Sequence, residues 1–68
     1  MVNTEMLEER IAQSGKTKSF LAEKIGCTIQ TFRNKCINNT EFKVSEVNIL
    51  CDELSITRLT DKEKIFFA

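Results

Sequence analysis

The chain has 68 residues, 41% of them apolar and 29% charged, and its formal net charge is zero. That describes one small folded domain: too apolar for a disordered chain, with no apolar run near the ~20 residues a membrane-spanning helix needs. It has no histidine and only three cysteines, Cys27, Cys36 and Cys51, with no Cys-x-x-Cys pair, so neither a disulfide framework nor a zinc site has its parts.

Proline is absent and glycine occurs twice, which favours helix throughout. The first helix is expected over about residues 4–14. Leu7 and Ile11 fall one turn apart, Met6 and Ala12 widen the stripe, and Gly15 provides the stop. Thr17 is the expected N-cap of a second helix burying Leu21, Ala22 and Ile25, and Gly26 turns the chain sharply. Thr28 caps a third helix running to Cys36 or Ile37, followed by an Asn38-Asn39-Thr40 loop. Ser45 is the expected cap of a fourth helix with Val47, Leu50, Cys51 and Leu54 inside. Thr60-Asp61-Lys62-Glu63 has capping-box spacing and opens a short last helix carrying Ile65, Phe66 and Phe67. Those three cannot share one helix face. At least one stays exposed on a monomer, and the tail either completes the core or meets a second copy.

The third helix has an unusual outer face. With Phe32 at zero and about 100° per residue, Cys36 falls near 40° and Ile29 near 60°, which defines the apolar side. Gln30, Thr31 and Asn34 point outward, and Arg33 and Lys35 lie on the two flanks. Amides and hydroxyls suit base edges, and flanking cations suit phosphates. Charge is also unevenly spread. Residues 16–43 hold Lys16, Lys18, Lys24, Arg33, Lys35 and Lys43 against Glu23 and Glu41, a net of +4, while each flanking segment is net −2. A basic middle between acidic ends marks an anion-facing surface.

The run Thr17-Lys18-Ser19-Phe20-Leu21-Ala22-Glu23-Lys24-Ile25-Gly26-Cys27-Thr28-Ile29-Gln30-Thr31-Phe32 resembles the helix-turn-helix of the lambda-repressor-like family of phage repressors, Cro proteins and related bacterial regulators. Lys35-Cys36-Ile37-Asn38-Asn39, Phe42-Lys43-Val44-Ser45-Glu46-Val47 and Ile65-Phe66-Phe67 are similar to small regulators of phages and prophages in Gram-positive bacteria. The resemblance implies an all-α domain of four to five helices over residues 1–68, with the helix-turn-helix at about 17–37. It implies a bacterial cytoplasmic regulator whose third helix enters the major groove of a double-stranded DNA operator, as a homodimer on a two-fold site. It places the base-reading positions at Ile29, Gln30 and Asn34, although the wheel sets Ile29 near the apolar side. It places at Lys18 a phosphate contact that the family makes with glutamine.

With the wheel, the expected DNA-contacting set is Lys18, Thr28, Ile29, Gln30, Thr31, Arg33, Asn34, Lys35, Asn38 and Lys43. No cofactor, metal, membrane or small-molecule substrate is implied. An enzyme is not expected: the adjacent acidic pairs Glu8-Glu9 and Asp52-Glu53 face different ways on a helix, and no catalytic constellation forms. The alternative is a protein-interaction module that keeps the fold without DNA affinity, which the acidic ends and zero net charge favour.

Overall fold

The computed structural model describes residues 1–68 as five helices without a strand: α1 Thr4–Ser14, α2 Lys18–Ile25, α3 Ile29–Cys36, α4 Val44–Glu53 and α5 Leu59–Phe66. No helix is long and apolar enough to cross a membrane. One apolar core takes Leu7 and Ile11 from α1, Leu21 and Ala22 from α2, and Phe32 and Cys36 from α3. Val47, Leu50 and Cys51 of α4, the connecting Leu54 and Ile56, and Ile65 and Phe66 of α5 close it.

Local chemistry sets most of the boundaries. Thr17 and Thr28 accept the N–H of Phe20 and Thr31 at 3.1 and 3.2 Å, capping α2 and α3 as their sequence positions predict. Asn3 caps α1 in the same way through the Met6 N–H, at 3.2 Å. Three helix ends use one device. After α2, α3 and α4 the chain steps through a left-handed residue: Gly26 (φ 82°), Asn38 (φ 66°) and Ser55 (φ 57°). The following N–H then reaches back to a carbonyl of the last turn: Cys27 to Ala22 at 3.0 Å, Asn39 to Asn34 at 2.9 Å, and Ile56 to Cys51 at 2.9 Å. Glycine takes that conformation without strain, and asparagine tolerates it better than other side chains do.

Three expectations need correction. α4 begins at Val44 with Lys43 as its N-cap, not at Ser45. A lysine ammonium cannot accept a hydrogen bond, so the cap is made from the other side: the Glu46 carboxylate takes the Lys43 N–H at 2.8 Å. α5 starts at Leu59, which leaves Thr60 inside the first turn and the expected capping box unformed. Asp61, in that turn, pairs instead with Arg10 of α1 at 3.2 Å. Ala12 is exposed and does not widen the buried stripe of α1.

The two termini close on each other. The Asn3 N–H donates to the Ile65 carbonyl at 2.6 Å, and the Ala68 N–H to the Met1 carbonyl at 3.0 Å. Ile65 and Phe66 are thereby buried, and Phe66 stacks edge-on against Phe42, itself edge-on to Phe32, each pair with centroids 6.0 Å apart. Phe67 is left 60% exposed. The tail therefore completes the core with two residues and presents the third. Phe66→Ala is expected to cost about 3–5 kcal/mol in urea unfolding, and Phe67→Ala no more than about 0.5 kcal/mol.

Candidate nucleic-acid interface

α3 is amphipathic, and its inner side is set by Phe32 and Cys36, which are essentially inaccessible. The buried arc does not extend symmetrically from Phe32. It includes Lys35 on one side, 7% exposed, and leaves Ile29 on the other side 38% exposed. The helix is thus rotated so that Ile29 turns outward and Lys35 inward. That settles where Ile29 lies: at the edge of the open face.

The Lys35 ammonium sits 2.5 Å from Glu46 Oε1 and 5.9 Å from the Phe42 ring centroid. It is a tie between α3 and α4, and the expectation that it flanks the outer face is corrected. A buried ammonium without a counter-charge is costly, so the side chain turns to the nearest carboxylate. Asn38 is likewise occupied. Its Oδ1 accepts the Val2 N–H at 2.8 Å and its Nδ2 donates to the Val2 carbonyl at 2.9 Å, so its amide fixes the N-terminal segment rather than facing solvent.

The remaining expected residues divide by what they are free to do. Gln30 and Arg33 are exposed and Asn34 is half-buried. They border one open groove on the outer side of α3, together with Ile37 and the facing pair Glu8 and Lys18. Gln30 Nε2 lies 3.5 Å from Asn34 Oδ1, a weak contact that aligns the two amides along the helix. The Thr28 hydroxyl caps the helix and also donates to the Thr31 Oγ1 at 3.0 Å. The Thr31 hydroxyl proton therefore remains available to an outside acceptor. Lys43 is exposed at the start of α4.

Electrostatics are more balanced than the sequence tally suggests. Lys18 pairs with Glu8 at 2.8 Å, Lys16 with Glu53 at 3.1 Å, and Lys35 with Glu46. Carboxylates from the flanking segments thus meet three of the six central cations. Lys24, Arg33 and Lys43 have no carboxylate partner. Lys24 lies 5.3 Å from the half-exposed Phe20 ring, with Lys16 at 5.8 Å from the same ring. The three ion pairs are not legible in the sequence because each joins residues on different elements of the fold.

Burial raises the Glu46 carboxyl, but the hydrogen bonds from Lys35 and Lys43 and the two lysine charges outweigh it and hold its pKa below the ordinary 4.5. Burial pushes the Cys36 thiol up to about 12, with nearby Glu8 adding to the effect, and raises Cys51 and Cys27 as well. None of the three cysteines is a reactive thiolate, and no group of acidic, cysteine or histidine residues stands ready to hold a metal ion. No family model, curated protein or solved structure matches the chain.

Lys35→Met is expected to lower stability by about 2 kcal/mol at neutral pH, because it leaves Glu46 without its main partner. A carboxyl held low in the folded state stabilises above its unfolded pKa and loses that contribution as pH falls through the folded value. The difference between the wild type and Lys35→Met should therefore be complete above about pH 4.5 and shrink below it. Urea unfolding across this range measures it.

Proposed function

We propose that the chain is a sequence-specific, double-stranded-DNA-binding transcriptional regulator of the helix-turn-helix type, with α2 and α3 as its two helices and α3 as the recognition helix. The observation that carries this reading is the outer face of α3. It gathers Gln30, Asn34 and Arg33 around one open groove while the inner face is locked by Phe32, Cys36 and Lys35. Side-chain amides present a donor and an acceptor side by side, which is what a base edge in the major groove matches. Thr17, Gly26 and Thr28 give α2 and α3 the short capped connection that such a motif requires. The resemblance to lambda-repressor-like regulators of phages and prophages supports the same reading, and with it a place in the cytoplasm of a bacterial host.

Arg33 is the exposed cation beside the amides, and Lys43 and Lys24 are further phosphate contacts. Lys18 also borders the groove, but Glu8 holds it. The largest dimension of the domain is 28 Å, less than one turn of duplex, so a two-copy arrangement on a two-fold operator supplies the remaining contacts. Exposed Met1 and Phe67, which border an apolar cleft with Phe42 and Phe66, are the surface best suited to pair two copies.

A protein-interaction module is the second reading, favoured by the neutralisation of Lys16, Lys18 and Lys35 within the fold. Fluorescence anisotropy on random duplex at low salt separates the two. Under the regulator reading, Arg33→Ala weakens binding to every duplex and lowers the slope of log affinity against log salt by about one. Gln30→Ala and Asn34→Ala each cost roughly 1–3 kcal/mol on the selected site and little on random DNA. Glu8→Gln releases Lys18, so it should raise affinity for all duplexes and steepen the slope by about one. Absence of binding to any duplex would leave the interaction module as the reading.

A further inference from the structure

The open face of α3 has a composition that bears on what it reads. On the helical wheel the exposed arc runs Ile29, Arg33, Ile37, Gln30, Asn34 over about 140°. Ile29 is 38% and Ile37 57% exposed, although both are large apolar residues on a domain that buries most of its others. Ile37, Arg33, Gln30 and Asn34 border the same groove. Each of these groups suits a particular base. A glutamine or asparagine amide pairs with adenine N6 and N7, whereas guanine presents two acceptors to the major groove and is matched by arginine or lysine. An exposed isoleucine offers no hydrogen bond, and in the major groove its natural partner is the 5-methyl group of thymine.

Two of the three cations near this face are engaged by carboxylates. Lys35 is turned inward onto Glu46, and Lys18 is held by Glu8 across the groove. Arg33 alone remains, and it lies between the two isoleucines in the arc.

Building on the reading of α3 as a recognition helix, we infer that the base pairs it reads are predominantly A·T, with the amides of Gln30 and Asn34 on adenine and Ile29 and Ile37 against thymine methyl groups. The isoleucines are then specificity residues and not surplus apolar surface.

The test begins with selection of duplexes bound by the full chain from a random pool. Each thymine in the enriched half-site is then replaced by uracil, which removes the methyl and keeps every base-pairing group. Enrichment of A·T pairs is expected at the central contacted positions. Uracil at the contacted thymines should weaken binding by about fourfold per methyl, the equivalent of one buried methylene group. Ile29→Ala and Ile37→Ala should each abolish the uracil effect at one position and weaken binding to the selected site more than to random duplex. Both residues are exposed, and a circular dichroism melt of each variant establishes that it is folded. A G·C-rich selected site, or uracil substitution without effect in the wild-type chain, overturns the inference while leaving DNA binding intact. Failure to bind even random duplex at low salt overturns both this inference and the regulator reading.

Discussion

One carboxylate organises the junction on which the rest of the domain depends. Glu46 accepts from the Lys35 ammonium at 2.5 Å and from the Lys43 N–H at 2.8 Å, so it fixes the rotation of α3 and starts α4 at once. An ion pair at a buried site gains little net free energy, because desolvation of both groups opposes their attraction. Its value here is directional. A lysine on the flank of an amphipathic helix has a long stem and could turn to solvent on either side. With Glu46 beneath it, only one rotation of α3 satisfies both the apolar residues Phe32 and Cys36 and the charge. The Phe42 ring, in edge contact with both Phe32 and Phe66, covers the pair from the side and gives the ammonium an aromatic face.

The same economy of charge runs through the molecule. Glu8, Glu46 and Glu53 each meet a lysine of the basic middle, and these pairs join α1 to α2, α3 to α4, and the end of α4 to the loop after α1. Two of the three, at Lys18 and Lys16, are about one-third exposed, so they contribute at most about 1 kcal/mol each to stability. Their larger effect is on the field outside. A domain with six unpaired central cations would attract any polyanion, whereas one with three of them paired attracts polyanions less on charge alone. Under the regulator reading, discrimination then falls more heavily on base contacts, which suits a helix whose outer face carries amides and apolar groups.

How much of this was legible in the sequence depends on how local the cause is. The caps Thr17 and Thr28 and the stops Gly15 and Gly26 act on neighbouring backbone, and they were read correctly from residue type and spacing alone. The apolar stripes of α1 through α4 were legible for the same reason, save Ala12, which is small enough to sit on either side of a boundary. One local cause is hidden by competition: Ser45 has the right chemistry for a cap, but Glu46 reaches back three residues to Lys43 and moves the start of α4. The other misreadings have partners far along the chain. Lys35 and Ile29 stand at equal angles from Phe32, so a wheel cannot choose which is buried; Glu46, eleven positions away, decides it. Asn38 looked like a free amide because nothing near it in sequence announces that Val2 will need both its oxygen and its nitrogen. The outward placing of Gln30 and Asn34 is legible from their position opposite Phe32, and that of Ile37 is not, since a helix-terminal isoleucine reads equally well as core.

The N-terminal segment gives the last step. Asn38 closes the end of α3 in a left-handed conformation while both polar atoms of its side chain bind Val2. The next residue along, Asn3, is bound to the end of α5, and the Thr4 hydroxyl donates to the Cys36 carbonyl at 2.5 Å. The C-terminal turn of α3 is therefore fastened to the N-terminal segment, itself bonded to the end of the chain, as its flank is fastened to α4 by Lys35. A helix held at its flank and at its end has little orientational freedom left to lose when a ligand engages its outer side. That lowers the ordering cost of association, which for a surface this small is a sizeable part of the affinity. It also means that residues of the tail which contact no ligand bear on α3: loosening the pairing of Met1 with Ala68, or of Asn3 with Ile65, would free the segment that Asn38 grips. The exposed Phe67 lies within that pairing. A second copy packed against it would press on the segment that steadies α3, so under the regulator reading pairing and base recognition would draw on one set of backbone hydrogen bonds.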